Sequence, residues 1–283
     1  SAKDRMAMRS LSGPKNPDGI ADPIIVHPDV RRMLLTQKAV AEGARALIYL
    51  AAQQSDIVLQ GKTEEERKAA DAMLGFLTPI AKAFLTEIGY ESANLGMQVF
   101  GGHGFISEWG MEQNVRDARI GMIYEGTTGI QALDLLGRKI LMSQGEALKQ
   151  FTKIVHVFCK ENADDEQLKE FIEPLQQINK EWGDITMKLG MTAMQNREEV
   201  GAAAVDYLMY SGYAVFAYLW ARSAKVALDA MREGTPEEAF YNAKVQTARF
   251  YFKRLLPRTR THVETMFAGA DTLLDMQEEH FAF

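Results

Sequence analysis

The sequence lacks the features that mark several large protein classes. Its 283 residues include one cysteine, Cys159, so an intrachain disulfide framework is excluded and a reducing, cytoplasmic location is expected. The formal net charge is −6, which gives no sign of a nucleic-acid-binding surface. The five histidines are scattered without an i, i+4 pair, so we predict no metal site.

Long apolar runs are also missing. The strongest candidate, residues 202–220, contains Asp206 and is interrupted by Ser211 and Gly212. A membrane-spanning helix needs about twenty consecutive apolar residues. We therefore predict that this stretch is a buried core helix, and we expect no membrane association.

Helical periodicity dominates what remains, and no stretch reads convincingly as a strand. Pro28 suits the first position of a helix, which Gly61 should close. Thr63 and Glu66 form a capping box that opens a second helix, and Pro79 should bend it before it ends near residue 98. The sequence predicts an all-α fold of two stacked bundles.

Further helices are predicted along the rest of the chain. The segment Lys3 to Ser10 looks like the end of a helix, and we interpret Ser1-Ala2 as a cloning remnant. The other predicted helices are 113–119, Thr127 or Thr128 to about Ser143, 146–161, 165–195, 198–232 and 236–275. The character of the sequence shifts near Gly145, so we predict one domain over residues 1–144 and an additional helical bundle over residues 145–283.

Residues 98–136 carry the clearest functional signal, centred on Glu125. This carboxylate lies in a short loop just before a predicted helix, whose unpaired N–H groups favour a negative charge. Gly126 would let a ligand reach the backbone, and Met122, Ile123 and Tyr124 could exclude water and raise the pKa of Glu125. A surface acid favoured by the helix dipole explains the same spacing, so the residues alone leave both interpretations open.

A resemblance to a known family adds to this pattern. The strings QVFGGHGF, RDAR and IYEGTTGIQ, in this order, resemble the C-terminal helical domain of FAD-dependent acyl-CoA dehydrogenases. The flanking PDVRRMLLTQKA and LDLLGRKIL extend the similarity over the first half of the chain. The second half resembles the extra C-terminal helical region of a larger bacterial branch, which includes 3-(methylthio)propanoyl-CoA dehydrogenases and long-chain relatives.

The resemblance implies a reaction of fatty acid metabolism. Family members oxidise an acyl-CoA to a trans-2-enoyl-CoA, with removal of the α-proton by a base and transfer of the β-hydride to FAD. Glu125 matches the glutamate of the family's YEGT motif, which implies that it is the catalytic base. Tyr124 and Gly126, on either side of it, are then the predicted substrate-binding residues.

The resemblance also implies a set of FAD-binding residues. Thr127 resembles a threonine that contacts the flavin of its own subunit. Gln98 and Gly102 match positions that reach the cofactor of a neighbouring subunit, and Arg5 aligns with an arginine that contacts the same diphosphate. His103 stands where asparagine is common, and we interpret it as a turn residue.

The family's N-terminal helical and middle β-domains have no counterpart in the sequence, so we interpret the chain as the C-terminal part of a larger flavoprotein. We expect it neither to hold FAD tightly nor to turn over acyl-CoA by itself. A homodimer or dimer of dimers and an electron-transfer flavoprotein are the expected partners. Two alternatives stay open: a catalytically silent helical dimerisation module, and an acyl-CoA oxidase on the same scaffold.

Overall fold

The structure, a computed structural model, describes residues 2–282, so Ser1 lies outside it. All regular elements in this range are helical, which confirms the all-α prediction; the one β-type contact is an isolated bridge between Met6 and Pro23. The long helices are α1 (Pro28–Gln60), α2 (Glu64–Pro79), α3 (Leu85–Phe100), α7 (Glu146–Glu161), α8 (Lys169–Gln195), α9 (Glu198–Arg232) and α10 (Glu238–Phe250). The short helices are α4 (Gly102–Phe105), α5 (Met111–Ile120), α6 (Thr128–Leu133), α11 (Thr259–Met266) and α12 (Asp271–Leu274).

The chain divides into two compact units. Unit 1 comprises residues 2–42 and 86–124, and unit 2 comprises residues 43–85 and 125–282. The boundaries fall inside α1, after the first residue of α3 and just before Glu125. The predicted domain boundary at residue 144 is a different division of the chain and stays a prediction.

Unit 1 contains an N-terminal loop organised by a buried carboxylate. Asp22 has a fully buried side chain and accepts hydrogen bonds from the backbone N–H groups of Ser10, Lys15 and Asn16 at 2.7–2.8 Å. These bonds, led by that from Ser10, lower the pKa of Asp22 from 3.8 to about 2. The helix predicted at Lys3 to Ser10 is wrong, because Met6 pairs with Pro23 and Ala7 bonds to Asp22 through the backbone.

Unit 2 is built around α9. Its middle section is buried on all sides, with every residue from Tyr210 to Ala221 buried, as expected for a central helix. The core helix predicted at residues 202–220 is present, although Val205 near its start is 43% exposed. Helices α8, α10 and α11 pack on it. Gly212 allows the ring of Phe84 to lie against the α9 backbone, where it makes edge contacts with Tyr213 and Phe216 at 5.0 Å.

Two prolines lie at interruptions within the helical runs. Pro174, in contrast, lies inside α8 without interrupting it, and the π-helical segment Asp134–Met142 that follows α6 contains no proline. Pro79 lacks an N–H group and cannot continue the α-helical ladder, and the five residues that follow it, Ile80–Phe84, form a π-helical turn. The helix predicted at 236–275 instead begins at Glu238 and changes to a π-turn at Tyr251–Leu255 and a 3-10 turn around Pro257.

The run Glu64–Phe100 is long and apolar enough to span a membrane by length and composition. An 18-residue window within this run has a mean hydropathy of 1.2, and 44% of that window is buried. Phe76, Leu77 and Ile80 are wholly buried, as in the core helix of a bundle. Residues 202–220, the longest apolar candidate in the sequence, lie in α9.

Candidate functional site

Helix α6 begins at Thr128, one of the two predicted starting residues, and Thr127 is its N-cap. Thr127 has an extended backbone (φ −63°, ψ 168°), and its hydroxyl oxygen accepts the N–H of Ile130 at 3.4 Å. The carbonyl of Thr127 accepts the N–H of Gln131 at 3.0 Å. The cap fixes the direction in which the chain enters α6, and it therefore positions the two residues before it.

Glu125 and Gly126 both have left-handed backbones. Their φ angles are 56° and 90°, a region in which residues other than glycine are uncommon. A side chain at position 126 would also bring its Cβ within 2.7 Å of the Gln131 amide nitrogen. Position 126 therefore requires glycine, whereas Glu125 holds its conformation at an energetic cost, as residues at functional sites often do.

Lys82 holds the loop that contains Glu125 and Gly126 in place. It was not among the residues predicted from the sequence. Its Nζ donates a hydrogen bond to the carbonyl oxygen of Gly126 at 2.6 Å. Lys82 lies in the π-helical turn that follows Pro79, and π-turns are common at functional sites. The proline is the signal in the sequence that could have drawn attention to this residue.

The carboxylate of Glu125 is exposed in this chain. The predicted shielding is not provided by its neighbours, since Ile123 is 49% and Tyr124 56% exposed. The reason is local: residues 122–124 continue the last turn of α5 with hydrogen bonds back to Arg119 and Ile120, along the surface of unit 1. The described residues leave Glu125 exposed, so only a surface from outside them could bury it.

Unit 1 brings a second group of predicted residues together at the end of α3. Arg5 Nη1 lies 2.9 Å from His103 Nδ1 and 3.5 Å from the carbonyl oxygen of Phe100. A guanidinium group can only donate, so the imidazole nitrogen accepts. His103 thus has a role that the sequence did not predict: it orients the side chain of Arg5.

The two other residues predicted to contact a cofactor lie at the same end of α3. Gln98 and Gly102 are both exposed, and a Cβ added at Gly102 would meet nothing within 4 Å. Gly101 makes the turn between α3 and α4 with φ 61°. Unit 1 therefore presents a cation, an amide and open backbone together, whereas Glu125, Gly126 and Thr127 belong to unit 2.

Two protein families match the chain, and together they cover most of it. The family described as "Acyl-CoA dehydrogenase, C-terminal domain" matches residues 15–141. The family described as "Acetyl-CoA dehydrogenase C-terminal like" matches residues 151–277.

Curated relatives carry related names. A 3-methylmercaptopropionyl-CoA dehydrogenase from Ruegeria pomeroyi is 36% identical over 96% of this chain and 46% of its own length. A broad-specificity linear acyl-CoA dehydrogenase from Mycobacterium tuberculosis is 36% identical over 85% of the chain and 41% of its own length. The chain thus spans less than half the length of these relatives.

Solved structures share the fold. The structure of an acyl-CoA dehydrogenase complexed with FAD from Bacillus anthracis superposes with a TM-score of 0.69. The two sequences are 20% identical, and the superposition covers 88% of this chain and 43% of the Bacillus anthracis chain. The structure of Caenorhabditis elegans ACDH-11 in complex with C11-CoA superposes with a TM-score of 0.63 at 20% sequence identity. This superposition covers 89% of this chain and 42% of the ACDH-11 chain. Residues 15–141 and 151–277 therefore match two C-terminal domain families of acyl-CoA dehydrogenases, and the chain has the fold of those helical domains.

Proposed function

We propose that this chain supplies the base-bearing helical domains of an FAD-dependent enzyme that oxidises an acyl-CoA to a trans-2-enoyl-CoA. The observation that carries the proposal is the geometry of the YEGT loop. Glu125 is held in a left-handed conformation by Gly126, by the Thr127 cap and by the hydrogen bond from Lys82. Such a conformation is costly for glutamate, and a catalytic role gives it a purpose.

In this proposal Glu125 removes the α-proton of the thioester. That proton becomes acidic enough for a carboxylate only when the thioester carbonyl is polarised and water is excluded. Because Glu125 is exposed here, the bound acyl-CoA and a second protein surface must together supply the dry environment. Tyr124 and Gly126 flank the base and are proposed to contact the substrate.

The residues proposed to contact FAD fit such a group. Gly102 offers open backbone, Gln98 an exposed amide, and Arg5 a cation suited to a diphosphate. These three residues are proposed to reach the FAD of a neighbouring subunit, whereas Thr127, in unit 2, is proposed to contact the FAD of its own subunit. When bound, FAD would accept the hydride from the β-carbon of the acyl group.

The covering surface is proposed to come from an oligomer. Ile130 and Leu133 of α6 are 58% and 45% exposed, so apolar side chains beside the Glu125 loop face solvent in the single chain. A second copy of the protein would bury them. An electron-transfer flavoprotein is the proposed acceptor of the electrons.

Substitution of Glu125 by glutamine in the complete gene product tests the proposed base. Glutamine preserves the shape of the side chain and cannot take a proton, so turnover should fall by about 10²–10⁴-fold while FAD remains bound. Glu146→Gln is a matched control, since Glu146 is also exposed and next to a left-handed glycine, Gly145. Unchanged turnover in Glu125→Gln would overturn the assignment of the base.

The same exposed surface favours a second candidate function, a silent helical dimerisation module. It predicts that Glu125→Gln leaves the activity of any associated enzyme unchanged, whereas Ile130→Asp disrupts self-association. Sedimentation velocity and turnover, measured on both variants, separate the two functions.

The 283-residue chain by itself is proposed to be inactive and to hold FAD weakly. Purified chain should show little absorbance in the flavin bands and no acyl-CoA oxidation. A stoichiometrically yellow and active preparation would contradict this proposal.

A further inference from the structure

Unit 2 contains a cavity that the proposed reaction does not use. It has a volume of about 870 Å³ and lies between residues 140–145, the first turns of α7 and the C-terminal half of α8. Small-molecule sites in proteins usually measure about 300–1,000 Å³. The cavity is therefore large enough for an extended ligand.

Two glycines of α8 keep the cavity open. Gly183 and Gly190 are two helical turns apart and so share one face of the helix. A Cβ added at Gly183 would meet nothing within 4 Å, and one at Gly190 would reach only Leu141, at 3.7 Å. Gly183 is itself exposed, so the space beside it is open to solvent and is not filled by the described residues.

Most of the wall is aliphatic and includes flexible methionines. Leu141, in the π-helical segment Asp134–Met142, and Leu148, in α7, line one side, while Met187 and Met194 line the side formed by α8. The two methionines are 63% and 88% exposed. Methionine side chains adapt to partners of different shape, which suits a hydrocarbon chain of variable length.

The charges that line the cavity are all positive, although the chain as a whole is acidic. Lys149 and Arg197 are the charged residues of the lining, and no aspartate or glutamate is among them. Glu146, outside the lining, pairs with Lys149 at 2.9 Å. Within residues 2–282, no carboxylate pairs with Arg197. The lining thus combines an apolar wall with a cation free to bind an anionic group.

We propose that this cavity binds a single-chain anionic amphiphile, namely a fatty acid. The hydrocarbon tail would lie along the glycine face of α8, and the carboxylate would bind Arg197 and Lys149. Guanidinium groups bind carboxylates with two parallel hydrogen bonds, which makes Arg197 the stronger of the two partners. The proposal is independent of Glu125, because none of the residues of the Glu125 loop lines this cavity.

Titration calorimetry on the full chain tests the site, with dodecanoate below its micellar concentration as the probe and dodecanol as the uncharged comparison. The wild-type chain should bind dodecanoate with one-to-one stoichiometry and at least about tenfold more tightly than dodecanol. Gly183→Leu should weaken the binding of both by about tenfold or more by filling the cavity. Arg197→Gln should reduce the preference for dodecanoate without the same loss for dodecanol.

Gly201→Leu is the matched control. Gly201 lies on α9, is exposed, and has nothing within 4 Å of an added Cβ, so it accepts leucine as readily as Gly183 and should leave binding unchanged. Circular dichroism and sedimentation velocity on each variant establish folding and association. Three results would each overturn the proposal. The first is an equal loss of dodecanoate binding in Gly183→Leu and Gly201→Leu, and the second is no dodecanoate binding by the wild-type chain. The third is a wild-type dimer that Gly183→Leu converts to a monomer without a change in dodecanoate binding.

Discussion

Replacement of Glu125 by glycine separates the energetic cost of the loop conformation from the chemistry of the carboxylate. With φ at 56°, Glu125 occupies a region that costs an L-residue about 1–2 kcal/mol. Glycine removes this cost but loses about 0.5–1 kcal/mol more conformational entropy on folding. The difference, about 0–1.5 kcal/mol with a midpoint near 0.75, is the amount by which Glu125→Gly should raise the free energy of unfolding. At the midpoint the Tm rises by about 1–2 °C in a chain of this size.

The same substitution should abolish proton abstraction, so turnover of the FAD-loaded enzyme should fall by about 10²–10⁴-fold. Urea unfolding of the chain gives the first quantity, and acyl-CoA oxidation by the complete gene product gives the second. A variant that is more stable and nearly inactive is the expected pair of results. Stability and activity would then oppose each other at a single residue.

Met8→Gly serves as the control. Met8 has φ 59° and is 79% exposed, and it is outside the proposed sites, so its replacement should raise stability similarly and leave turnover unchanged. A loss of about 1 kcal/mol or more in Glu125→Gly, as expected when a stabilising contact is removed, would refute the strain argument. Undiminished turnover would refute the catalytic one.

Three further predictions concern the rest of the chain. Because the pKa of Asp22 is lowered from 3.8 to about 2, its contribution to stability is present above pH 4 and lost as the pH falls toward 2; Asp22→Asn should flatten this part of the urea-midpoint profile. Gly212→Ala would place a Cβ 2.2 Å from the Phe84 ring and should destabilise by about 1–3 kcal/mol in thermal unfolding, whereas Gly201→Ala should stabilise by up to about 1 kcal/mol. Burial raises the pKa of the Cys159 thiol to about 11, so iodoacetamide should label it only after unfolding, and labelling of the native chain would contradict the buried position.

Helix boundaries follow from the sequence where the interactions are local. Pro28 begins α1 and Thr63 accepts the N–H of Glu66 at 3.1 Å, both as predicted, and α6 begins at Thr128, one of the two predicted starting residues. Each of these signals involves residues within one helical turn, so no knowledge of the fold is needed to interpret them. The start of α10 differs from the predicted start at residue 236. The hydroxyl oxygen of Thr235 accepts the N–H of Glu237 at 3.2 Å, but the helix begins at Glu238.

What the sequence by itself determined is therefore the all-α class, most helix boundaries and the family motif around Glu125. Tertiary structure decided the contacts that support the sites: Lys82 reaches Gly126 across 44 positions, and Arg5 reaches His103 across 98. It also decided that Glu125 is exposed and that two α8 glycines face a cavity. Capping and helical periodicity act within a few residues, whereas exposure, cavities and long-range hydrogen bonds depend on which distant segments pack together, and local rules do not encode that choice.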